Sequence, residues 1–587
     1  MLVVFEGIDG SGKTTLSNRA AAKLRALGLD VKHVRSEGRL ASRVAEGIRE
    51  FTRDQRNLEL APYAEFLLYA AREAQQLEEA IRPALAAHDV VIADRFLYTP
   101  ENLAHYGRDL PMERLTPVLE SVAHGCSPDL VVLVTVDPQV ALARRRGEKV
   151  VRPSAKAGSR KGLSGTGLAH RLHDGYLEMA RQDPGRWLVI HNTDADLDAV
   201  VDAIVAAIRV AVATPEAPAE AARQVLAVER LRNGASTPPP ASDPDAARDQ
   251  FIGWLDRQEE REPGLAAYML SGLAGEGIDE RRIRLAARCP ELIAYGCAGL
   301  DDDVSWQLRY HLAETAPRQV ARSLDDLPPE HREAWALRET LVATVAADVV
   351  ASLDARVLRS PRDDARAWSL RERVFPLAPD AVMGSLAFDD SSRAWALRER
   401  WLELRGGEEA LATPEIAKVI CASIRGLGEE HAWHLREVAR PAAPVPALSS
   451  LDGVTDARSW EWREHLAPHA PRPVMRSLDG LDHPIAWKLR EAAAPRCKEA
   501  IDSIVGMDEP EAWALRERYL GLWPSTVAKS LGSLGLAPRG RQLLERLLRE
   551  NPGNLSLLKH ATALALAESA AMSADAPRAV NATMTFR

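Results

Sequence analysis

A chain of 587 residues, 46% apolar and 27% charged, is too long for a single core, and its length fits roughly three or four domains. A net charge of −9 gives no basis for a general nucleic-acid binder, so no nucleic-acid partner is expected. The cysteines Cys126, Cys289, Cys297, Cys421 and Cys497 are few, odd in number and scattered, which predicts reduced packing thiols without a disulfide framework or zinc cluster. No basic leader with an apolar run opens the chain and no stretch of about 20 apolar residues occurs. Neither a signal peptide nor a membrane span is therefore expected, and the expected location is cytoplasmic.

Residues 2–15, LVVFEGIDGSGKTT, read as a buried strand, a glycine loop and the start of a helix. Gly7, Gly12, Lys13 and Thr14 fit the G-x-x-x-x-G-K-[ST] phosphate-binding pattern, and the strand before it and helix after it are the context the pattern requires. Glycines let the backbone approach phosphates, and the N–H groups of Gly7, Ile8, Asp9, Gly10, Ser11, Gly12, Lys13, Thr14 and Thr15 lie where they would cradle ATP. Lys13 would reach the β- and γ-phosphates, and the Thr14 hydroxyl would ligate Mg²⁺.

Four more short apolar runs follow, at 31–34, 90–94, 130–136 and 187–190, with helical patterns between them, for example at 63–87. Strands that are apolar throughout, alternating with helices, predict a parallel sheet covered on both faces over residues 1–212. In such sheets ligands bind at the carboxyl ends of the strands, where the glycine loop and the pair Asp94–Arg95 both fall.

FEGIDGSGKTT, LLYAAREAQQLEEAIRPAL, VVIADRF, GRDLP and PDLVVLVTVDPQVALARRR, in this order and spacing, resemble thymidylate kinases over about 210 residues. The resemblance implies Mg²⁺-dependent phosphoryl transfer from ATP to a nucleoside monophosphate, most simply dTMP to dTDP, and leaves room for a homodimer through this domain. It implies that Asp9 contacts the nucleotide sugar, Tyr69 stacks on the base, Arg95 holds the acceptor phosphate and Asp94 stands beside the metal. Other positions depart from the family. Its helical arginine, four residues after the aromatic, is here Glu73, and Arg72 precedes it. Arg72 shares a helix face with Tyr69 and can reach the pocket, but the charge of Glu73 would repel a phosphate. The polar readers after the Asp-Arg pair become Thr99, Pro100, Asn102, Leu103 and Ala104, and a segment after the second strand becomes Arg35, Ser36, Glu37, Gly38, Arg39 and Leu40.

Phosphoryl transfer needs positive charge around the moving group. The loop has serine at position 11, and in the family such a loop borrows an arginine from a flexible lid. Residues 144–167 fit that lid: Arg144, Arg145, Arg146, Lys149, Arg152, Lys156, Arg160 and Lys161 among many Gly and Ser. Arg146 and Arg152 are the lid arginines expected to join Lys13 and Arg95 in catalysis. His170 and His173 read as helix-face residues.

Residues 213–247 form a Pro- and Ala-rich linker, with a short helix expected at RQVLAVERLR. From 248 to 566 a W-x-L-R-E core recurs at Trp306, Trp335, Trp368, Trp395, Trp433, Trp460, Trp487 and Trp513, each followed three residues on by Arg. Seven units carry Leu between the two, and Trp462 is the exception. A serine often lies ten residues before the Trp, as at Ser423, Ser450 and Ser477, and the clearest spacing is 27 residues. Each unit reads as two short helices that bury their faces only by stacking, which predicts an α-solenoid of HEAT-like repeats and a protein partner upon it. Packing is the first reading of the Trp and Arg, with Arg covering Trp or pairing with the Glu that follows it in seven units. A surface ladder of Arg binding an acidic ligand is the rival. Residues 567–587 are expected to be a disordered tail.

The leading expectation is a nucleoside monophosphate kinase fused to a helical scaffold. The alternatives are a nucleotide-binding switch whose helical half carries the biology, and a kinase for a non-thymidine acceptor.

Overall fold

The computed structural model describes residues 1–34, 42–153, 159–192, 197–224, 241–325, 327, 331–353 and 365–573. They form two compact units. The first comprises Met1–Arg145, Gly158–Lys161 and Thr166–Thr237, and the second comprises Arg146–Ala157, Gly162–Gly165 and Pro238–Arg587.

Five strands build the first unit: β1 (Leu2–Glu6), β2 (Val31–His33), β3 (Val90–Asp94), β4 (Leu130–Thr135) and β5 (Trp187–His191). All pairs are parallel, in the order β2-β3-β1-β4-β5. Every residue of β1, β3 and β4 is buried, as the uninterrupted apolar runs require of strands covered on both faces. One layer of core joins Leu16, Ala20 and Leu24 of helix α1 (Lys13–Ala26) to the later Ile204 and Ile208. The opposite layer joins Phe66, Leu77, Ile81, Leu115 and Leu119. The register pairs Phe5 with Asp94 and Glu6 with Leu133, so the carboxyl ends of the three central strands share one edge.

The expected helix at 63–87 is present with a defect. After α2 (Arg43–Arg53), α3 (Pro62–Gln76) widens into a π-turn at Leu77–Ile81 and continues as α4 (Arg82–Ala87). Pro83 explains the widening, because its ring displaces the carbonyl four residues back and it donates no hydrogen bond. A second wide turn, Leu103–Gly107, follows α5 (Tyr98–Asn102). Further helices are α6 (Met112–Ala123), α7 (Pro138–Val151), α8 (Gly167–Gln182) and α9 (Leu197–Ala213). The expected segment 35–40, Lys156 and linker residues 225–240, which hold most of the expected short helix, lie outside the described residues, whereas residues 218–224 of the linker are helical.

The second unit is helical. Longer helices carrying the repeated Trp and Arg, such as Glu430–Ala439 and Ala457–Leu466, alternate with short ones such as Pro444–Ser449 and Pro471–Arg476. Proline opens most of the short helices, where its missing N–H has no intrahelical partner in any case. Two features differ from the sequence expectation. The first helix of the run, Pro244–Arg261, packs along the last, Leu555–Ser573, and Lys559 Nζ donates to the Ser271 carbonyl at 2.9 Å. The run therefore closes on itself, where a simple stack would end open. The last helix also continues through Ser573, so the expected tail from 567 is helical in its first part. Apolar residues such as Leu557, Leu558, Ala561 and Ala565, buried in that helix, sustain it.

The repeated arginines are neither a surface ladder nor paired with the following Glu. All eight are 0–1% exposed. Arg436 Nε donates to Ser450 Oγ at 2.8 Å, and its Nη2 donates to the carbonyls of Ile424 and Ser450. The same Arg-to-Ser bond recurs from Arg309, Arg338, Arg371, Arg463, Arg490 and Arg516. Arg398 instead reaches the Ser423 carbonyl at 2.8 Å. Each guanidinium also lies over the Trp of its own unit, for example Arg463 at 4.7 Å from Trp460. Where a serine lies ten residues before a Trp, it thus serves the Arg of the preceding unit. These bonds offset part of what each guanidinium loses by leaving water.

Candidate active site

Among the described residues no helix is long and apolar enough to cross a membrane. The chemistry gathers at the carboxyl edge of the sheet. The loop after β1 passes so close to other backbone that side chains are excluded. A Cβ on Gly7 would stand 2.3 Å from the Val134 carbonyl oxygen, and one on Gly10 2.4 Å from that of Ala141, both at positive φ. Asn192 donates from Nδ2 to the Ser11 carbonyl at 2.7 Å and steadies the loop from the end of β5.

Lys13 opens α1 and folds back, its Nζ 3.3 Å from the Ile8 carbonyl and 3.8 Å from Asp9. Burial, reinforced by the nearby Arg95 charge, pushes its pKa down to about 8. Thr14 donates its hydroxyl to Asp94 at 2.5 Å, joining the loop to the end of β3. The next residue, Arg95, has φ of 78°, a left-handed backbone uncommon outside glycine. That conformation turns the guanidinium back over the loop, where it meets Asp9 at 2.5 Å, Thr99 Oγ1 at 3.1 Å and Tyr176 OH at 3.3 Å.

Beneath Arg95 lies Glu6, fully buried at the end of β1. It accepts from the Phe96 N–H at 2.9 Å, Thr99 at 2.8 Å and Tyr176 at 2.9 Å. Burial raises its pKa, with Arg95 opposing. Asp9 faces a ring of cations. The ammonium of Lys161 comes first, then Arg95, Lys13 and Arg145, and together they hold its carboxyl well below the usual range.

Arg145 and Lys161, both in the expected lid, thus share the surroundings of Asp9. Arg146 instead hydrogen-bonds Tyr268 within the second unit, and Arg152 is exposed. Successive helical residues point about 100° apart, which separates Arg145 from Arg146 on α7. Arg160 pairs with Glu65 of α3, which also binds Arg108 at 2.9 Å. Arg144 donates to the Asn192 carbonyl at 3.3 Å.

Tyr69 and Arg72 lie together on α3, the guanidinium 4.5 Å from the ring centre. Glu73 does not stand as an open repulsive charge: Arg72 Nε donates to its Oε1 at 2.9 Å, and both residues are buried. Leu103 and Ala104 are buried in the second wide turn. His173, on α8 as expected, bonds Thr135 Oγ1 at 2.9 Å. Four of the five cysteines are buried, Cys126 is partly so, and none forms a disulfide.

Thr14 and Asp94 also answer whether Mg²⁺ fits. They present a hydroxyl and a carboxylate, hard oxygen donors, in contact at the foot of the phosphate loop. Among the described residues no group of three or more His, Cys, Asp or Glu could hold a metal ion. Two protein oxygens suit Mg²⁺, which keeps waters and shares substrate phosphates.

A parallel sheet with a glycine phosphate loop, and with an acid and an arginine at the neighbouring strand end, defines a P-loop phosphotransferase. The family profile described as thymidylate kinase matches residues 5–204. The thymidylate kinase of Trichlorobacter lovleyi is 34% identical over 193 residues, which cover 33% of this chain and 90% of that protein. The thymidylate kinase of Pelotomaculum thermopropionicum is 38% identical over 196 residues, covering 33% and 86%. A solved thymidylate kinase from Ehrlichia chaffeensis is 22% identical, with a TM-score of 0.27, covering 36% of this chain and 98% of that one. The chain belongs to the thymidylate kinase family. It is an enzyme, a nucleoside monophosphate kinase.

Sequence reasoning did not single out Glu6, Tyr176, Asn192 or Glu65. Glu6 carried a usable signal, a carboxylate ending an otherwise apolar buried strand. Tyr176, Asn192 and Glu65 reach the site only through the fold.

Proposed function

We propose that this chain transfers the γ-phosphoryl group of ATP to dTMP, giving dTDP and ADP, at the cluster of Lys13, Asp94 and Arg95. One observation carries the reading: Thr14 and Arg95 bring the phosphate loop and the end of β3 into direct contact, at 2.5 Å to Asp94 and 2.5 Å to Asp9 respectively. Two phosphate-binding elements meeting in one cluster fit a reaction between two phosphorylated substrates.

In this reading the loop N–H groups and Lys13 hold the donor phosphates. Arg95 exchanges its bond to Asp9 for the acceptor phosphate, and Glu6, Thr99 and Tyr176 keep its guanidinium aimed from below. Asp9 is then free for the acceptor sugar. Thr14 and Asp94 would hold Mg²⁺, which when bound neutralises charge on the phosphate oxygens. An oxygen of the acceptor phosphate forms the new bond to the γ-phosphorus as the bond to the ADP oxygen breaks. Lys161 and Arg145 supply the positive charge that the loop lacks at Ser11, a role in which electrostatic stabilisation is the main catalytic term.

The recurring Arg-to-Ser bond supports reading the helical region as a stack of related two-helix units of the HEAT kind. Such a scaffold offers a surface for a protein partner.

The test is a screen of purified protein with ATP, Mg²⁺ and a panel of nucleoside monophosphates. Turnover of dTMP well above the others is the expected result. ATP binding without acceptor-dependent ADP formation would sink the reading.

A further inference from the structure

The residues expected to form the lid are divided between the two units. Arg145 and Lys161 belong to the first unit, whereas 146–153 and 162–165 belong to the second. Each boundary is a single peptide bond, from Arg145 to Arg146 and from Lys161 to Gly162. In the first unit Lys161 and Arg145 are among the cations that bear on Asp9.

Within the second unit both stretches are anchored by side chains of the helical run. Gly147 is buried, and a Cβ there would lie 3.7 Å from both Tyr268 and Leu292, so this part of α7 seats on those two side chains. Val150 lies in the last turn of α7, where carbonyls have no partner within the helix. Gln319, only 9% exposed, donates from Nε2 to the Val150 carbonyl at 2.9 Å, across 169 residues of chain. The bond offsets the cost of burying that amide and caps the helix end.

The second stretch has its own anchors. Arg472 donates from Nη1 to the Gly162 carbonyl at 3.4 Å, across 310 residues of chain. The same guanidinium pairs with Glu499 Oε1 at 3.2 Å, and Glu499 Oε2 accepts from the Cys497 thiol at 3.3 Å. Gly165 fits against this cluster at a φ of 87°, where a Cβ would stand 2.7 Å from Glu499 Oε2 and 2.9 Å from Cys497 Sγ. The anchors of 146–153 come from early helices, Pro263–Met269, Pro290–Gly296 and Pro317–Arg322. Those of 162–165 come from late in the run, at Pro471–Arg476 and Glu499–Asp502.

We propose that the helical unit is a clasp for the lid: Gln319, Arg472 and the Glu499 cluster hold 146–153 and 162–165, and so keep Arg145 and Lys161 beside Asp9 before nucleotide arrives. This rests on Lys161 and Arg145 serving phosphoryl transfer, and it gives the helical half a task in that reaction. A free lid must be ordered as it closes, and the ordering draws on binding energy. A lid anchored on both stretches spares that cost, and the two peptide bonds carry the restraint to the cations.

The experiment measures hydrogen exchange by mass spectrometry on the full chain, without ligand and with ATP and Mg²⁺, alongside kcat/KM for ATP with dTMP as acceptor. In the wild-type chain, lid amides at 146–151 and 162–165 should be protected without ligand, and ATP should slow them by less than about threefold further. The double variant Gln319→Ala/Arg472→Ala should exchange there about 10-fold faster in the free chain and lose about 10-fold in kcat/KM for ATP. Bound ATP should narrow the exchange difference. Gly165→Ala leaves every helical side chain in place, serves if the double variant does not fold, and should move both readouts in the same direction. Lid exchange as fast in the free wild-type chain as in the variants, or kcat/KM unmoved where protection is lost, overturns the proposal. Lid protection lost in the variants, with no dTMP turnover even in the wild-type chain, would overturn transfer to dTMP and leave the clasp standing. Turnover of dTMP with lid exchange alike in all chains would do the reverse.

Discussion

Thr14 donates its hydroxyl to Asp94 at 2.5 Å, across 80 residues of chain. The bond joins the first turn of α1 to the last residue of β3, so the two halves of the expected metal site are already in register. Asp94→Asn keeps the size and one acceptor oxygen but removes the charge. It should lower kcat by about 10²-fold and raise the Mg²⁺ concentration needed for half-maximal rate. Titration of activity with Mg²⁺ checks this, and an unaltered Mg²⁺ requirement would count against the assignment.

Lys13→Ala should abolish turnover while leaving the helical circular dichroism signal intact. The phosphate loop lies in the first unit, whereas the repeated Arg-to-Ser bonds lie in the second. Loss of helical signal beyond what the first unit contributes would contradict that independence.

Lys13 also predicts a pH effect. Burial first, and Arg95 second, push its pKa from 10.5 down to about 8. The phosphates of ATP favour the ammonium form, so its pKa rises on binding. ATP binding should therefore take up protons above about pH 8, and affinity should fall as pH rises through 8. For folding, the unfolded chain holds this proton up to about 10.5. Burial of Lys13 thus costs stability below about pH 8, and the cost is relieved as pH climbs from 8 to 10.5. Calorimetry at pH 8.5 in two buffers of different ionisation enthalpy reads the proton uptake directly. Equal apparent enthalpies in the two buffers would refute it.

The sheet, the loop and the Asp94–Arg95 pair were legible because each leaves a local mark. An apolar run is a buried strand, and a glycine spacing is a phosphate loop. The serine before many of the repeated Trp was visible too, but its role was not, since Ser450 serves Arg436 from the preceding unit and not its own Trp. Tyr176 and Asn192 stayed hidden for the same reason. Their roles come from contacts 77 to 181 residues apart in sequence, as with Tyr176 to Thr99 and Asn192 to Ser11, which no spacing rule encodes. Arg146 was preferred over Arg145 because composition marks a basic helix without saying which of its faces meets Asp9.

That distinction can be measured. Lys161→Ala should reduce kcat by about 10- to 100-fold, and Arg145→Ala should act in the same direction, since both cations bear on Asp9. Arg146→Ala should leave kcat within about threefold, because its partner is Tyr268. Steady-state rates at saturating ATP separate the three variants. An Arg146→Ala loss as deep as that of Lys161→Ala would return the chemistry to the arginine first expected.

The repeats make the last prediction. Arg463 uses its whole guanidinium: Nε to Ser477 Oγ at 3.0 Å, Nη1 to the Val454 carbonyl at 2.7 Å and to Ser459 Oγ at 3.1 Å, and Nη2 to the carbonyls of Leu451 at 2.7 Å and Ser477 at 3.2 Å. An ammonium cannot span these directions, and Arg463→Lys should cost about 3 kcal/mol. Ser477→Ala removes one hydroxyl acceptor and should cost about 1 kcal/mol. Because the serine and arginine share a bond, the double variant Arg463→Lys/Ser477→Ala should cost less than the sum of the two single losses. Urea unfolding followed by tryptophan fluorescence reads all three, since Trp460 lies under the guanidinium. Full stability in Arg463→Lys would mean that this arginine holds nothing together and would reopen the reading of the repeated arginines as ligand-binding groups.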